Sequence, residues 1–215
     1  MHVETIEVAV GGIFSTFMMN CYLLSAGTDA NAVLIVDPGD NAQRILTAVG
    51  ERTISAIVLT HYHYDHVGAL AGLRNIWEAQ GIPIYLHPLD QDRFLREQSK
   101  RSKESEFASA LEVVLRPIDD GACLELGGLV LKVMHTPGHS AGSICLYHQG
   151  SNILISGDTL FRGTTGRTDL GGGSPHQMHE TLQVLALLPD ATMVYPGHEQ
   201  PTTIAYERTR ALIEY

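Results

Sequence analysis

Thr60-His61-Tyr62-His63-Tyr64-Asp65-His66 packs three imidazoles and a carboxylate into six residues, directly after the apolar run Ile54–Leu59. Imidazole nitrogen and carboxylate oxygen are the ligands that zinc and similar divalent ions take. The i, i+2 spacing of His61 and His63 puts both rings on one side of an extended segment. Asp65 and His66 then fall at a turn into a following helix, where they can face a second ion. A chance cluster on a solvated loop would bring no packing benefit, so ligation is the better reading.

The design of an apolar strand running into a ligand-type residue recurs. Ile54–Leu59 leads to His61, Leu129–Met134 to His139, Ile153–Ser156 to Asp158 and Met193–Tyr195 to His198. Strand ends are rigid places to hold a metal or catalytic constellation, and the loops beyond them are exposed. His139 sits in Thr136-Pro137-Gly138-His139-Ser140-Ala141-Gly142, where Pro and Gly make a tight turn. A lone His there is usually just solvated; beside the cluster it reads as a ligand. Asp158, in Ser156-Gly157-Asp158-Thr159-Leu160-Phe161, taken alone would be a helix cap or turn former. His198, in Tyr195-Pro196-Gly197-His198-Glu199, repeats the strand-Pro-Gly-His pattern.

Other short runs rich in Val, Ile and Leu predict strands over Val3–Val10, Cys21–Leu24, Val33–Val36, Pro83–Leu86, Ser143–Tyr147, Asn152–Ile155 and Ala191–Tyr195. Asp40 with Gln43 signals a helix start; Ile45, Leu46 and Val49 form its face and Gly50 its stop. Val67, Leu70, Leu73, Ile76 and Trp77 predict a second helix ending at Gly81. Ser174-Pro175 with Gln177 opens a third, whose apolar face is Met178, Leu182, Leu185 and Leu188 and which Pro189 ends. Residues Asp90–Leu115 read as mostly helical, and Thr203–Tyr215 as a terminal helix. Gly171–Ser174 reads as a loop within one domain covering residues 1–215.

The net charge of −10 comes from 14 basic and 24 acidic residues. Phosphate-backbone binding needs clustered Lys and Arg, so no nucleic-acid partner is expected. The short run Lys100, Arg101, Lys103 is followed by Glu104 and Glu106 and reads as a solvated helix face. No apolar run approaches the roughly 20 residues that span a bilayer, so no membrane partner is expected. The first twenty residues hold Glu4 and Glu7 and no Lys or Arg, unlike a signal peptide, which predicts a cytoplasmic protein. Cys21, Cys123 and Cys145 form no C-x-x-C and read as buried free thiols. Outside the cluster, His2, His87, His148, His176 and His179 read as surface or packing residues, and His135 as packing or as support behind the His139 turn.

His61-x-His63-x-Asp65-His66, with His139, Asp158 and His198 following in that order, resembles the metallo-β-lactamase superfamily from about Asn20 to Ile204. The resemblance implies a four-layer αββα sandwich with two metals at the edge between the sheets. By it, His61, His63 and His139 bind a first divalent ion, Asp65, His66 and His198 a second, and Asp158 bridges them. Zn is the first expectation for both, and such ligands also accept Fe and Mn. Gly157-Asp158-Thr159-Leu160-Phe161, Gly166-Arg167-Thr168-Asp169-Leu170 and Pro196-Gly197-His198-Glu199 resemble the glyoxalase II branch, the hydroxyacylglutathione hydrolases, in its short single-domain bacterial form. The C-terminal helical domain that supplies part of the glutathione site in longer members is not expected after His198.

The resemblance implies hydrolysis of a small-molecule thioester such as S-lactoylglutathione. Water held between two divalent ions loses a proton near neutral pH without a strong protein base, and the ions stabilise the oxyanion. Asp65 is the catalytic candidate, orienting that nucleophile as well as binding metal. A thiolate leaves without a dedicated general acid. Arg167 is the candidate grip on a substrate carboxylate, and an ion pair with Asp169 is its competing reading. Phe14, Phe17, Met18 and Met19 form an apolar stretch between the first two strands that either overhangs the site or packs in the core. The rival enzyme is a persulfide dioxygenase, which the chain resembles in Gly166-Arg167-Thr168-Asp169 and which would use one iron on His61, His139 and Asp158. Asp158, where secreted β-lactamases often carry Cys, speaks against that branch; the acidic charge speaks against a nuclease. A scaffold protein would have no need for all seven ligand-type residues.

Overall fold

Every side chain in Val33-Leu34-Ile35-Val36 is apolar, so this strand needs cover on both faces. It has it: Val33 and Ile35 enter one core, Leu34 and Val36 another. Cys21 and Leu23 divide from Tyr22 and Leu24 in the same way, and Ile144 and Leu146 from Cys145 and Tyr147. Two sheets result, packed face to face with helices outside each. The computed structural model describes residues 1–12, 15–28, 30–104 and 113–212.

The first sheet takes β1 (His2–Gly12), β2 (Ser15–Ser25), β3 (Ala32–Val36), β4 (Thr53–Val58), β5 (Ile84–Leu86) and β6 (Leu115–Pro117) in that spatial order. Its outer face is covered by α1 (Ala42–Val49), α3 (Leu70–Gln80) and α4 (Pro88–Glu104), through Ile45, Leu70, Leu73, Trp77 and Phe94. The short α2 (Tyr64–Val67) precedes α3. The second sheet is ordered β12 (Thr202–Thr203), β11 (Met193–Pro196), β10 (Ile153–Gly157), β9 (Ile144–His148), β8 (Leu129–His135) and β7 (Cys123–Leu126). Its outer face is covered by α5 (Pro175–Leu185) through Met178, Leu182 and Leu185; α6 (Ile204–Glu207) follows β12. This is the expected αββα sandwich.

Backbone bonds lock the sheets together at one edge. Ile144 N donates to Thr60 O at 2.9 Å and Asn20 N to Gly197 O at 2.7 Å. Asn20 Nδ2 also reaches Pro196 O and Glu199 O. That edge is where β4, β8, β10 and β11 end.

Several local expectations are corrected. The second helix is split, because Ala69 N donates to Pro38 O and leaves the helical ladder between α2 and α3. The cap of α1 is Asn41, not Asp40: its side chain accepts from Arg44 N. α5 ends at Leu185, before Leu188. Phe17, Met18 and Met19 belong to β2 itself, Phe17 pairing with Val10; Phe14 lies outside the described residues. The helix read over Asp90–Leu115 starts at Pro88, 105–112 of its span lie outside the described residues, and Leu115 at its end belongs to β6. α6 is one turn long, and 213–215 lie outside the described residues. Cys21 and Cys145 are buried, but Cys123 is exposed, since β7 turns it outward while Leu124 faces in. Among the described residues no helix is long and apolar enough to cross a membrane.

Candidate metal centre

All seven residues singled out in the sequence meet at the locked edge. One ligand-type atom from each of His61, His63 and His139 lies within 4.8 Å of the others, and Asp65, His66, Asp158 and His198 form a second such group. His61 and His63 come from the loop after β4, Asp65 and His66 from α2, His139 from the turn after β8, Asp158 from the end of β10 and His198 from the end of β11. Asp158 connects the groups: its Oδ2 is 3.5 Å from His139 Nε2 and 3.5 Å from His198 Nε2.

Four of the five rings are fixed from behind. His139 Nδ1 donates to Arg167 O at 2.7 Å, and His198 Nδ1 to Met18 O at 2.8 Å. A carbonyl only accepts, so the proton sits on Nδ1 and Nε2 is directed inward. His66 Nδ1 bonds Asp37 Oδ2 at 2.9 Å. Thr60 Oγ1 donates to Asp37 Oδ2 at 2.6 Å, which leaves its lone pair for His61 Nδ1 at 3.1 Å. Outer partners of this kind are what orient metal-binding imidazoles.

The residues fit a cation. His61 Nε2, His66 Nε2 and Asp158 Oδ1 are buried and have no hydrogen-bond partner in the protein, although His66 Nε2 and Asp158 Oδ1 stand 3.2 Å apart. Buried polar atoms are rarely left this way, and His61 Nε2 in the first group and His66 Nε2 with Asp158 Oδ1 in the second suit ligands awaiting a cation. The charge balance agrees. Burial, reinforced by neighbouring imidazoles, holds His61 well below the usual histidine range and His63 down to about 4, so both are neutral, the form that binds metal. In the second group burial again opposes the charge, but the carboxylates outweigh it. Asp158, Asp37 and Asp65 lift His66 well above its usual value, and hydrogen bonds to Asp158 and Asp65 lift His198 to about 10. Asp158 is held well below the carboxylate range and Asp65 below it, burial being outweighed by His66 and His198. Two carboxylates here demand positive charge, which protons supply in the absence of metal.

The two groups open onto one cavity of about 700 Å³. Phe17, Phe161 and Leu170 give it apolar walls, Asp65 and Asp158 form part of its polar lining, and Arg167 lines it as well. Arg167 is paired with Asp169 through two bonds of 2.7 Å, and both side chains are largely exposed. Of the apolar stretch, Phe17 lies 5.6 Å from the His198 ring, while Met19 is core. His135 does not reach the centre: it stacks on His87 at 4.2 Å and bonds Ala141 O.

Asp37 is a residue that the sequence reading missed. It sits at φ 52°, wholly buried, and receives Thr60 N at 2.7 Å besides Thr60 Oγ1 and His66. Its signal was present, for Val36-Asp37-Pro38-Gly39 is another strand end followed by Pro-Gly. Gly197 stands in the Pro196-Gly197-His198-Glu199 motif, but its own role there is visible only in the structure. A Cβ there would lie 2.3 Å from Asp158 Oδ1 and 2.6 Å from His66 Cε1, so only glycine lets β11 close on the centre.

Known proteins share this architecture. The chain is 37% identical over 183 residues to "Probable metallo-hydrolase YqgX" of Bacillus subtilis, covering 81% of this chain and 83% of that one. It is 38% identical over 171 residues to a hydroxyacylglutathione hydrolase of Ectopseudomonas mendocina, covering 77% of this chain and 56% of the relative. Among solved structures it is similar to TTHA1623 in a di-iron-bound form (TM-score 0.78, 34% identity, 96% and 98% coverage) and to the BLEG-1 B3 metallo-β-lactamase (TM-score 0.78, 31% identity, 96% and 97% coverage). The metallo-β-lactamase superfamily model matches residues 16–198, from β2 through the last of the seven converging residues, and the chain belongs to that superfamily.

Proposed function

We propose that this metal-dependent hydrolase cleaves thioesters at a dinuclear centre built from His61, His63, Asp65, His66, His139, Asp158 and His198. The observation that carries the reading is the pair of ligand groups on one cavity, with Asp158 of the second group 3.5 Å from His139 of the first. When bound, paired divalent ions acidify water and stabilise the oxyanion of a tetrahedral intermediate. His61 and His63 are kept neutral and would hold the first ion, while His66 and His198, protonated beside Asp65 and Asp158, would have to give up those protons to hold the second. Asp65 stays ionised, faces the cavity and can accept a hydrogen bond from water, orienting it toward the substrate carbonyl. Arg167 stands where it can exchange Asp169 for a substrate carboxylate. Phe17, Phe161 and Leu170 suit an apolar part of the substrate.

The thioester preference is supported by the likeness to a hydroxyacylglutathione hydrolase and by the chemistry of a thiolate, which departs without a proton donor. Two metals are supported by the di-iron form of TTHA1623, which puts iron beside zinc as a candidate. The test is metal analysis of the purified protein with turnover of S-lactoylglutathione, before and after chelation. About two ions per chain and chelator-sensitive hydrolysis are expected. One iron per chain, with oxygen consumption on glutathione persulfide and no thioester hydrolysis, would assign a mono-iron dioxygenase instead.

A further inference from the structure

Asp90 lies in the first turn of α4 with its side chain wholly buried. A carboxylate withdrawn from water is costly unless its lone pairs are met. Asp90 meets them with donors from two other loops. Oδ2 accepts from the Tyr62 amide at 3.2 Å and from Ser140 Oγ at 2.7 Å, and Oδ1 accepts from the Gly142 amide at 2.8 Å. Tyr62 is the residue between His61 and His63, and Ser140 directly follows His139. Ser140 is held in turn by Ser143, whose Oγ is 2.8 Å from Ser140 Oγ and accepts from Ser140 N at 3.1 Å. A Cβ on Gly142 would fall 2.7 Å from Asp90 Cγ and 2.8 Å from Asp90 N, so only glycine lets this turn close on the helix. All three histidines of the first group thus hang from segments that meet at one carboxylate, which itself does not line the cavity.

The geometry points to Asp90 as the positioning residue of the three-histidine group, setting the separation at which His61, His63 and His139 converge. This rests on reading that group as a metal site. A carboxylate that merely favours the start of α4 through the helix dipole would affect stability alone. A carboxylate that spaces the histidines also sets how tightly, and in what geometry, a metal is held.

Asp90→Asn keeps the shape but places an amide opposite the Tyr62 and Ser140 donors. Ser140→Ala removes one donor without touching the backbone. Cobalt(II) is the probe, since its visible spectrum reports ligand geometry without turnover. Asp90→Asn is expected to weaken binding of the first cobalt equivalent about tenfold or more and to alter its spectrum, as loss of an orienting partner does. Ser140→Ala should do the same to a smaller degree. Wild-type cobalt affinity and spectrum in both variants, whatever their Tm, would overturn the inference. Should Asp90→Asn not fold, Ser140→Ala decides alone. Failure of the wild-type protein to bind cobalt would overturn the metal reading itself, which separates the two results.

Discussion

His66 is wholly buried and His198 stands at the rim, yet both present Nε2 to the same two carboxylates. The distances to Asp65 and Asp158 are 3.6 and 3.2 Å from His66, and 3.2 and 3.5 Å from His198. Replacing either by Ala is expected to lower bound metal from about two ions toward one per chain, since such sites need several protein ligands. Thioester turnover should fall steeply in both. Their stabilities should differ. His66→Ala strips buried Asp37 of its ion-pair partner, which costs about 3 kcal/mol in comparable sites. His198→Ala opens the rim and should cost much less. Unchanged metal stoichiometry in both would count against a two-ion centre. Arg167 poses a different question, because its guanidinium is already held by Asp169. Arg167→Ala should raise KM for S-lactoylglutathione by about tenfold and leave kcat and metal content alone. Asp169→Asn, which frees the guanidinium, should not raise KM. A KM indifferent to Arg167→Ala would assign the pair to loop structure.

The elements show which parts of the molecule a sequence can announce. The four strands that lead into His61, His139, Asp158 and His198 were legible because apolar runs and ligand-type residues are both strong local patterns. Asp37 and Asp90 were not, because a single aspartate carries no pattern until folding reveals which loops it joins. β6 and β12 are too short, at three and two residues, to show alternation. β7 was missed although its turn is plain in retrospect. Leu126 pairs with Leu129, and Gly127 and Gly128 take φ of 57° and 81°, the two-residue hairpin turn that glycine favours. That hairpin puts Cys123 on the solvent face of an edge strand. Burial meanwhile raises the Cys21 thiol well above its usual value and the Cys145 thiol to about 11. A thiol reagent at neutral pH should therefore modify one cysteine rapidly in the native protein and all three after denaturation. Peptide mapping should find the label on Cys123. Rapid native labelling of Cys145 would contradict the packing of β9 against α5.

At the scale of the whole molecule, two sheets are pinned at one edge by groups that metal would neutralise, so stability without metal should depend on pH in a definite way. His63 is held down to about 4 against an ordinary 6.5. Between those values the unfolded chain binds more protons than the folded one, and stability rises with pH. His61, Asp65 and Asp158, all shifted downward, act in the same sense on the acid side. His198 is lifted from 6.5 to about 10. Between those values the folded chain binds more protons, so its contribution is fully present below 6.5 and is lost as pH rises toward 10. His66, also raised, acts in that sense, and the raised thiols of Cys21 and Cys145 add to it at the alkaline end. The chelated protein should thus be most stable near pH 6.5 and weaker on both sides. Metal changes the two limbs differently. It takes the place of the protons on His66 and His198, so the alkaline limb should flatten. Protons compete with it for neutral imidazole, so the acid limb should steepen. Urea unfolding of chelated and metal-loaded protein at about pH 5, 6.5 and 9 measures both limbs. A chelated protein more stable at pH 9 than at 6.5 would show that His66 and His198 do not carry the charge that holds Asp65 and Asp158 together.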